Sequence, residues 1–219
     1  MKTILCYGDS NTWGFMPKLD QPENDATNRY PWGVRWTSLL QMKLGEDYHV
    51  IEEGLNGRTT MFDCPMEDCR NGLREIDVSL VSHTPIDLVI IMLGTNDTKP
   101  VFNATAHIIA HGVERLVARV RYGGHGPGAS DPKMLIVSPI RMGEEVEQRW
   151  LRTEFDARSL ALDKKLAGAF RQVAENLHAG FLDAGATITA DPADCIHMHE
   201  EGHAQLASML YDEVKRMLG

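Results

Sequence analysis

The chain has 219 residues, 43% of them hydrophobic and 24% charged, with a formal net charge of −9. That length suits one well-buried domain, read as spanning 1–219, and the acidity argues against nucleic acid or an anionic membrane surface as partner. No apolar run reaches the length of a membrane span, and Met1-Lys2-Thr3 enters an apolar run with no signal region before it, which reads as a cytoplasmic protein.

Ile4-Leu5-Cys6 predicts a buried first strand that breaks at Gly8-Asp9-Ser10. Trp36, Leu39, Leu40 and Leu44 recur at helical spacing from about Gly33, and Gly45 ends that helix. Tyr48 to Glu52 reads as a second strand, closed by Gly54-Leu55-Asn56-Gly57. A polar segment, 61–71, precedes a helix over Leu73 to Ser82. Leu88 to Leu93 is apolar on both faces, as a central strand of a parallel sheet must be. Ile109, Val113, Leu116 and Val120 mark the next helix, and Gly123 to Gly128 a loop. Met134 to Val137 is a fourth strand, followed by a charged segment and a long helix striped by Leu162, Leu166, Phe170, Val173 and Leu177. Gly180 to Asp183 is a short fifth strand, 191–199 a loop, and Ala207, Leu210, Val214 and Met217 mark the last helix.

This alternation predicts an α/β fold in three layers, a five-stranded, mainly parallel sheet with helices on both faces. Cys64 and Cys69 lack common zinc-pair spacing, so the four cysteines read as reduced thiols rather than a metal site or a disulfide framework.

In such folds ligands sit outside the carboxyl ends of the strands, and the polar punctuation falls there. Ser10 follows the first strand, Asn56 and Gly57 the second, Asn96 the third, and Asp194 and His197 the fifth. Taken alone, Gly8-Asp9-Ser10 is as much a polar turn as a nucleophile, because a serine needs a base and oxyanion donors. The other ends supply those parts. His197 can take and return the Ser10 proton, Asp194 can fix its tautomer, and the Ser10 and Gly57 backbone N–H groups with the Asn96 amide can hold an oxyanion.

Four blocks carry a family resemblance: Gly8-Asp9-Ser10-Asn11-Thr12, Asn56-Gly57-Arg58-Thr59-Thr60, Gly94-Thr95-Asn96-Asp97 and Asp194-Cys195-Ile196-His197. In this order they resemble the SGNH hydrolases, also called the GDSL family, and most closely its bacterial arylesterase and acyltransferase branch. The resemblance implies a flavodoxin-like sheet, a Ser10-His197-Asp194 triad and serine esterase chemistry on a small-molecule ester, with acyl transfer as a further activity. It also implies a homo-oligomer whose neighbouring loops narrow the pocket. No cofactor and no metal are expected. Asn11 stands where the family motif has leucine, so Asn11 and the adjacent Trp13 are expected to shape the substrate pocket.

Other readings compete. A carbohydrate O-deacetylase would use the same residues. His199-Glu200-Glu201-Gly202-His203 matches the H-E-x-x-H zinc signature of a metallopeptidase, although Gly202 weakens the helix that must present both histidines. Asp9 reads as a turn-holding residue, and Trp32, Trp36 and Trp150 as core or subunit contact. A fold that only binds a ligand must explain why serine, histidine, aspartate and asparagine all fall at one sheet edge.

Overall fold

A computed structural model describes residues Met1–Gly219. Five parallel strands form the sheet, β1 (Lys2–Gly8), β2 (Tyr48–Gly54), β3 (Leu88–Met92), β4 (Lys133–Ser138) and β5 (Gly180–Asp183). Their order is β2-β1-β3-β4-β5. The chain steps outward from β1 to β2, then resumes on the other side of β1 with β3, so the strand order reverses between β1 and β3. The crevice beyond their carboxyl ends is where an open parallel sheet takes a ligand.

Six helices complete the α/β fold: α1 (Ser10–Trp13), α2 (Trp36–Leu44), α3 (Gly72–His83), α4 (Ala106–Arg121), α5 (Ala157–Asn176) and α6 (Glu200–Leu218). Side chains of the central strands alternate between two cores. Ile4, Cys6, Leu88, Ile90, Leu135 and Val137 pack with Trp36 and Leu40 of α2 and with Leu206, Leu210 and Val214 of α6. Leu5, Tyr7, Val89, Ile91 and Ile136 pack on the opposite face with residues of α3, α4 and α5. Burial on both faces explains the continuous apolar runs of β1 and β3.

Local chemistry sets the element ends. Thr105 caps α4 through Ile108 N–H, and Asp156 with Ser159 makes a reciprocal capping box at the start of α5. The charged segment after β4 holds two single helical turns, Val146–Gln148 and Trp150–Thr153, before α5 begins. The turn α1 was not legible as a helix in the sequence. Asp9 caps it by accepting from Asn11 N–H at 3.0 Å, and Gly14 closes it at φ 92°. Of the undecided tryptophans, Trp36 is core and Trp32 is 62% exposed.

α1 lies against the end of β2. A Cβ on Gly54 would sit 2.2 Å from Trp13 N and 2.6 Å from its Cα, both backbone atoms that cannot yield. Gly54→Ala is therefore expected to destabilise by about 1–3 kcal/mol and to push α1 off the sheet edge. Urea unfolding checks this, and a variant with wild-type stability would refute the tight contact.

His203 of α6 is fully buried; its Nδ1 accepts from Trp36 N–H at 3.2 Å, and its ring meets Tyr30 edge-on at 5.3 Å. Burial, reinforced by the charges of His197, His199 and Arg35, drives its pKa down to about 3. The folded state keeps this ring neutral while the unfolded chain binds a proton near pH 6.5, so the associated stability is complete above that value and is lost as pH falls toward 3. His203→Phe removes the titration. Between pH 7.5 and 5 it should lose about 2 kcal/mol less stability than the wild type, read by urea unfolding at both pH values; equal losses would refute the assignment.

Candidate active site

The carboxyl ends of β1, β2 and β3 and the loop after β5 converge on one cleft. Asp194 is fully buried, and His197 and Ser10 are 6% and 7% exposed. Ser10 Oγ lies 3.0 Å from His197 Nε2, and His197 Nδ1 lies 2.7 Å from Asp194 Oδ2. A carboxylate only accepts, so Nδ1 carries the proton and Nε2 is left to accept from the Ser10 hydroxyl. The other Asp194 oxygen accepts from Ile196 N–H and His197 N–H, each at 2.9 Å. Burial raises the Asp194 carboxyl, but the His197 ring and these hydrogen bonds outweigh it and hold the pKa below the ordinary carboxylate value.

Gly57 follows β2 at φ 75°, a conformation that favours glycine, and a Cβ there would meet Glu67 Oε2 at 2.9 Å. Asn96 donates one amide hydrogen to Arg58 O at 3.1 Å, which fixes the amide plane and leaves its second hydrogen for another acceptor. Ser10, Gly57, Asn96 and His197 all line the same cleft of about 110 Å³. Phe15, Leu151, Phe155 and Ile196 give it apolar walls, while Asn56, Lys99 and Glu154 are polar. Lys99 and Glu154 form an ion pair across it. The 61–71 segment contributes Glu67, and the 141–155 segment contributes Trp150, Leu151, Glu154 and Phe155, the first being the third undecided tryptophan. Wider depressions of about 570 and 720 Å³ lie between α3 and α4 and beside residues 17–28, and neither is lined by a serine or a cysteine.

The pocket expectation for Asn11 and Trp13 needs correction, since neither lines the cleft. Asn11 is buried, and its amide bonds the backbone on either side of His197, donating to Ile196 O at 3.1 Å and accepting from Met198 N–H at 2.9 Å. Trp13 lies against the Arg29 guanidinium, 5.0 Å from its ring centre. Adjacency to Ser10 in sequence misleads here because α1 is helical, so successive side chains turn to different sides.

Three further residues serve the site. Phe15 packs its ring 4.3 Å from that of His197. Arg58 is buried beneath the cleft, stacking 4.1 Å from the Tyr7 ring and donating to Gly8 O at 2.9 Å. Asp97 is fully buried and takes Thr60 N–H at 2.9 and 3.1 Å as well as the Thr60 hydroxyl, tying the Asn96 turn to the Gly57 loop. Burial pushes Asp97 up to about 7 and Asp9 up to about 6, partly offset by the hydrogen bonds each accepts. The sequence carries no signal of this pairing, because Asp97 and Thr60 are 37 residues apart along the chain.

The zinc signature does not assemble. His199 is the cap of α6 in extended backbone, with Nδ1 accepting from Gly202 N–H at 2.8 Å, while His203 faces Trp36 inside the core. No group of three His, Cys, Asp or Glu side chains is placed to hold a metal ion. All four cysteines are free, and no helix is long and apolar enough to cross a membrane.

Residues 6–205 match the model of the GDSL-like lipase/acylhydrolase family. The inhibitor-bound aryl esterase of M. smegmatis superposes with TM-score 0.89 at 37% identity, covering all of both chains. A carbohydrate acetylesterase from Sinorhizobium meliloti superposes with TM-score 0.87 at 36% identity, and a carbohydrate acetylesterase family member from the same organism with 0.86 at 39%, again over all of each chain. No curated protein matches the chain. With a family match from the first strand into the last helix, and with Ser10, Gly57, Asn96 and His197 lining one cleft, the chain belongs to the GDSL-like lipase/acylhydrolase family of SGNH hydrolases.

Proposed function

We propose that the protein is a serine esterase that hydrolyses small acyl esters through an acyl-enzyme. The observation that carries this reading is the hydrogen-bonded line from Asp194 through His197 to Ser10, ending in the cleft that Gly57 and Asn96 also face. Ser10 Oγ attacks the ester carbonyl while His197 Nε2 takes its proton. The negative charge passes to the carbonyl oxygen, held by the N–H groups of Ser10 and Gly57 and the free amide hydrogen of Asn96, donors typically worth about 3 kcal/mol each. Collapse of this intermediate breaks the bond to the alcohol, which leaves with the proton from His197. Water, or a second alcohol in acyl transfer, then gives its proton to Nε2 and releases the acyl group. Asp194, kept ionised by its partners, stabilises the imidazolium in both halves.

The cleft supports a short acyl chain. About 110 Å³ is well under the ~300–1,000 Å³ usual for drug-sized ligands, and bulky side chains wall it. Similarity to the aryl esterase and the carbohydrate acetylesterases leaves two classes of alcohol, aryl and sugar.

A fluorophosphonate is expected to add to Ser10 alone, read by mass spectrometry of the digested adduct, and His197→Ala should lower kcat by about 10⁶-fold with the fold intact by circular dichroism. Labelling elsewhere, or retained turnover in that variant, would overturn the mechanism. Acetate and propionate esters should exceed octanoate esters at least about tenfold in kcat/KM, an effect of the walls on binding. A panel that ranks octanoate first would rule out the small-acyl reading; the same panel, run as aryl against sugar acetates with added alcohol, separates the alcohol classes and measures acyl transfer.

A further inference from the structure

We infer that Asn11 is the positioning residue that keeps His197 over the reacting centre while Ser10 is acylated. The inference rests on the serine mechanism proposed above. It starts from the backbone around His197, in which five consecutive polar groups are each committed to a partner. Ile196 N–H and His197 N–H go to Asp194 Oδ1 at 2.9 Å each. His197 O accepts from Asp191 N–H at 2.8 Å. Ile196 O and Met198 N–H, on either side of the base, both go to the Asn11 side chain at 3.1 and 2.9 Å.

Asp191 and Asp194 belong to the same loop as His197, so their bonds hold the loop's own shape. The Asn11 bonds differ, because Asn11 sits in α1 beside Ser10 and 185 and 187 residues away from its two partners. They therefore fix the base loop relative to the nucleophile turn. A primary amide suits this task, since it offers a donor and an acceptor side by side and pairs with the loop as a neighbouring strand would. Leucine, the residue in the family motif, can make neither bond.

In the resting enzyme a second tie exists, the Ser10 hydroxyl bonded to His197 Nε2. Acylation removes it, because Oγ becomes an ester oxygen and its proton has left with the alcohol. During deacylation His197 must take a proton from water, the water oxygen bonds to the acyl carbon, and Oγ departs and recovers the proton from Nε2. Through that half-reaction the polar link between α1 and the base loop is Asn11, with the Phe15 ring packed on the imidazole as an apolar contact. Removing the Asn11 bonds should therefore slow deacylation more than acylation.

The test compares Asn11→Leu, Asn11→Asp and Ser10→Ala by rapid-mixing kinetics with p-nitrophenyl acetate. Asn11→Asp keeps the acceptor for Met198 N–H and loses the donor for Ile196 O, so it probes the site if the leucine variant does not fold. The expected result is kcat lowered by about 10–100-fold in Asn11→Leu and by less in Asn11→Asp, with the acylation rate changed far less. KM falls as the acyl-enzyme accumulates, and a burst of p-nitrophenol of one equivalent per site appears, with the acetyl group found on Ser10 by intact mass. Unchanged kcat in Asn11→Asp, or an equal loss in both half-reactions with no burst, would overturn the inference while an inactive Ser10→Ala leaves the serine mechanism standing. An active Ser10→Ala would overturn both.

Discussion

A buried carboxylate sets the terms for the rest of this site. Asp194 has no exposure to water, and an ionised group in that position costs several kcal/mol unless hydrogen-bond donors surround it. The chain supplies three: the His197 ring and the backbone N–H groups of Ile196 and His197. The loop must bend so that all three reach one side chain, and Cys195 accordingly adopts φ 65°. With Nδ1 held as donor, Nε2 is aimed at Ser10. Truncating Asp194 would thus remove a charge and also release the backbone that carries His197.

The sheet order does at long range what Asp194 does locally. With β2 on one side of β1 and β3 on the other, Ser10 and Asn96 follow adjacent strands at the point where the order reverses. The loops between are joined by buried polar pairs, Asp97 with Thr60 and Asn11 with the 196–198 backbone. These pairs come at a cost. Burial lifts Asp97 to about 7 and Asp9 to about 6, so at higher pH each holds a charge the interior disfavours. The two large cores on either face offset that cost, and in return the loops keep one geometry.

Short motifs acquire their meaning from where the backbone sends them. His199 and His203 have the spacing of a zinc pair, yet the helix starts at Glu200, so His199 stays outside it as a cap and His203 turns into the core. Asn11 and Trp13 both closely follow Ser10 in sequence, yet the single turn α1 directs one to the 196–198 backbone and the other to Arg29. In each case side-chain direction is decided by where a helix begins, and a helix boundary is the part of a fold that hydrophobic periodicity resolves least well.

Apolar periodicity was enough to order the elements, since a strand buried on both faces and a helix with one apolar stripe leave unmistakable patterns at β1, β3 and α4. Chemistry near strand ends was legible for the same reason: Ser10, Gly57 and Asn96 come shortly after the apolar runs of β1, β2 and β3, and Asp194 and His197 lie in the loop that follows β5. The cleft volume, the pairing of Asp97 with Thr60, the Lys99–Glu154 bridge and the clamp formed by Asn11 were decided by the tertiary structure alone. Each joins residues separated by tens to nearly two hundred positions, and sequence periodicity carries information only about neighbours along the chain.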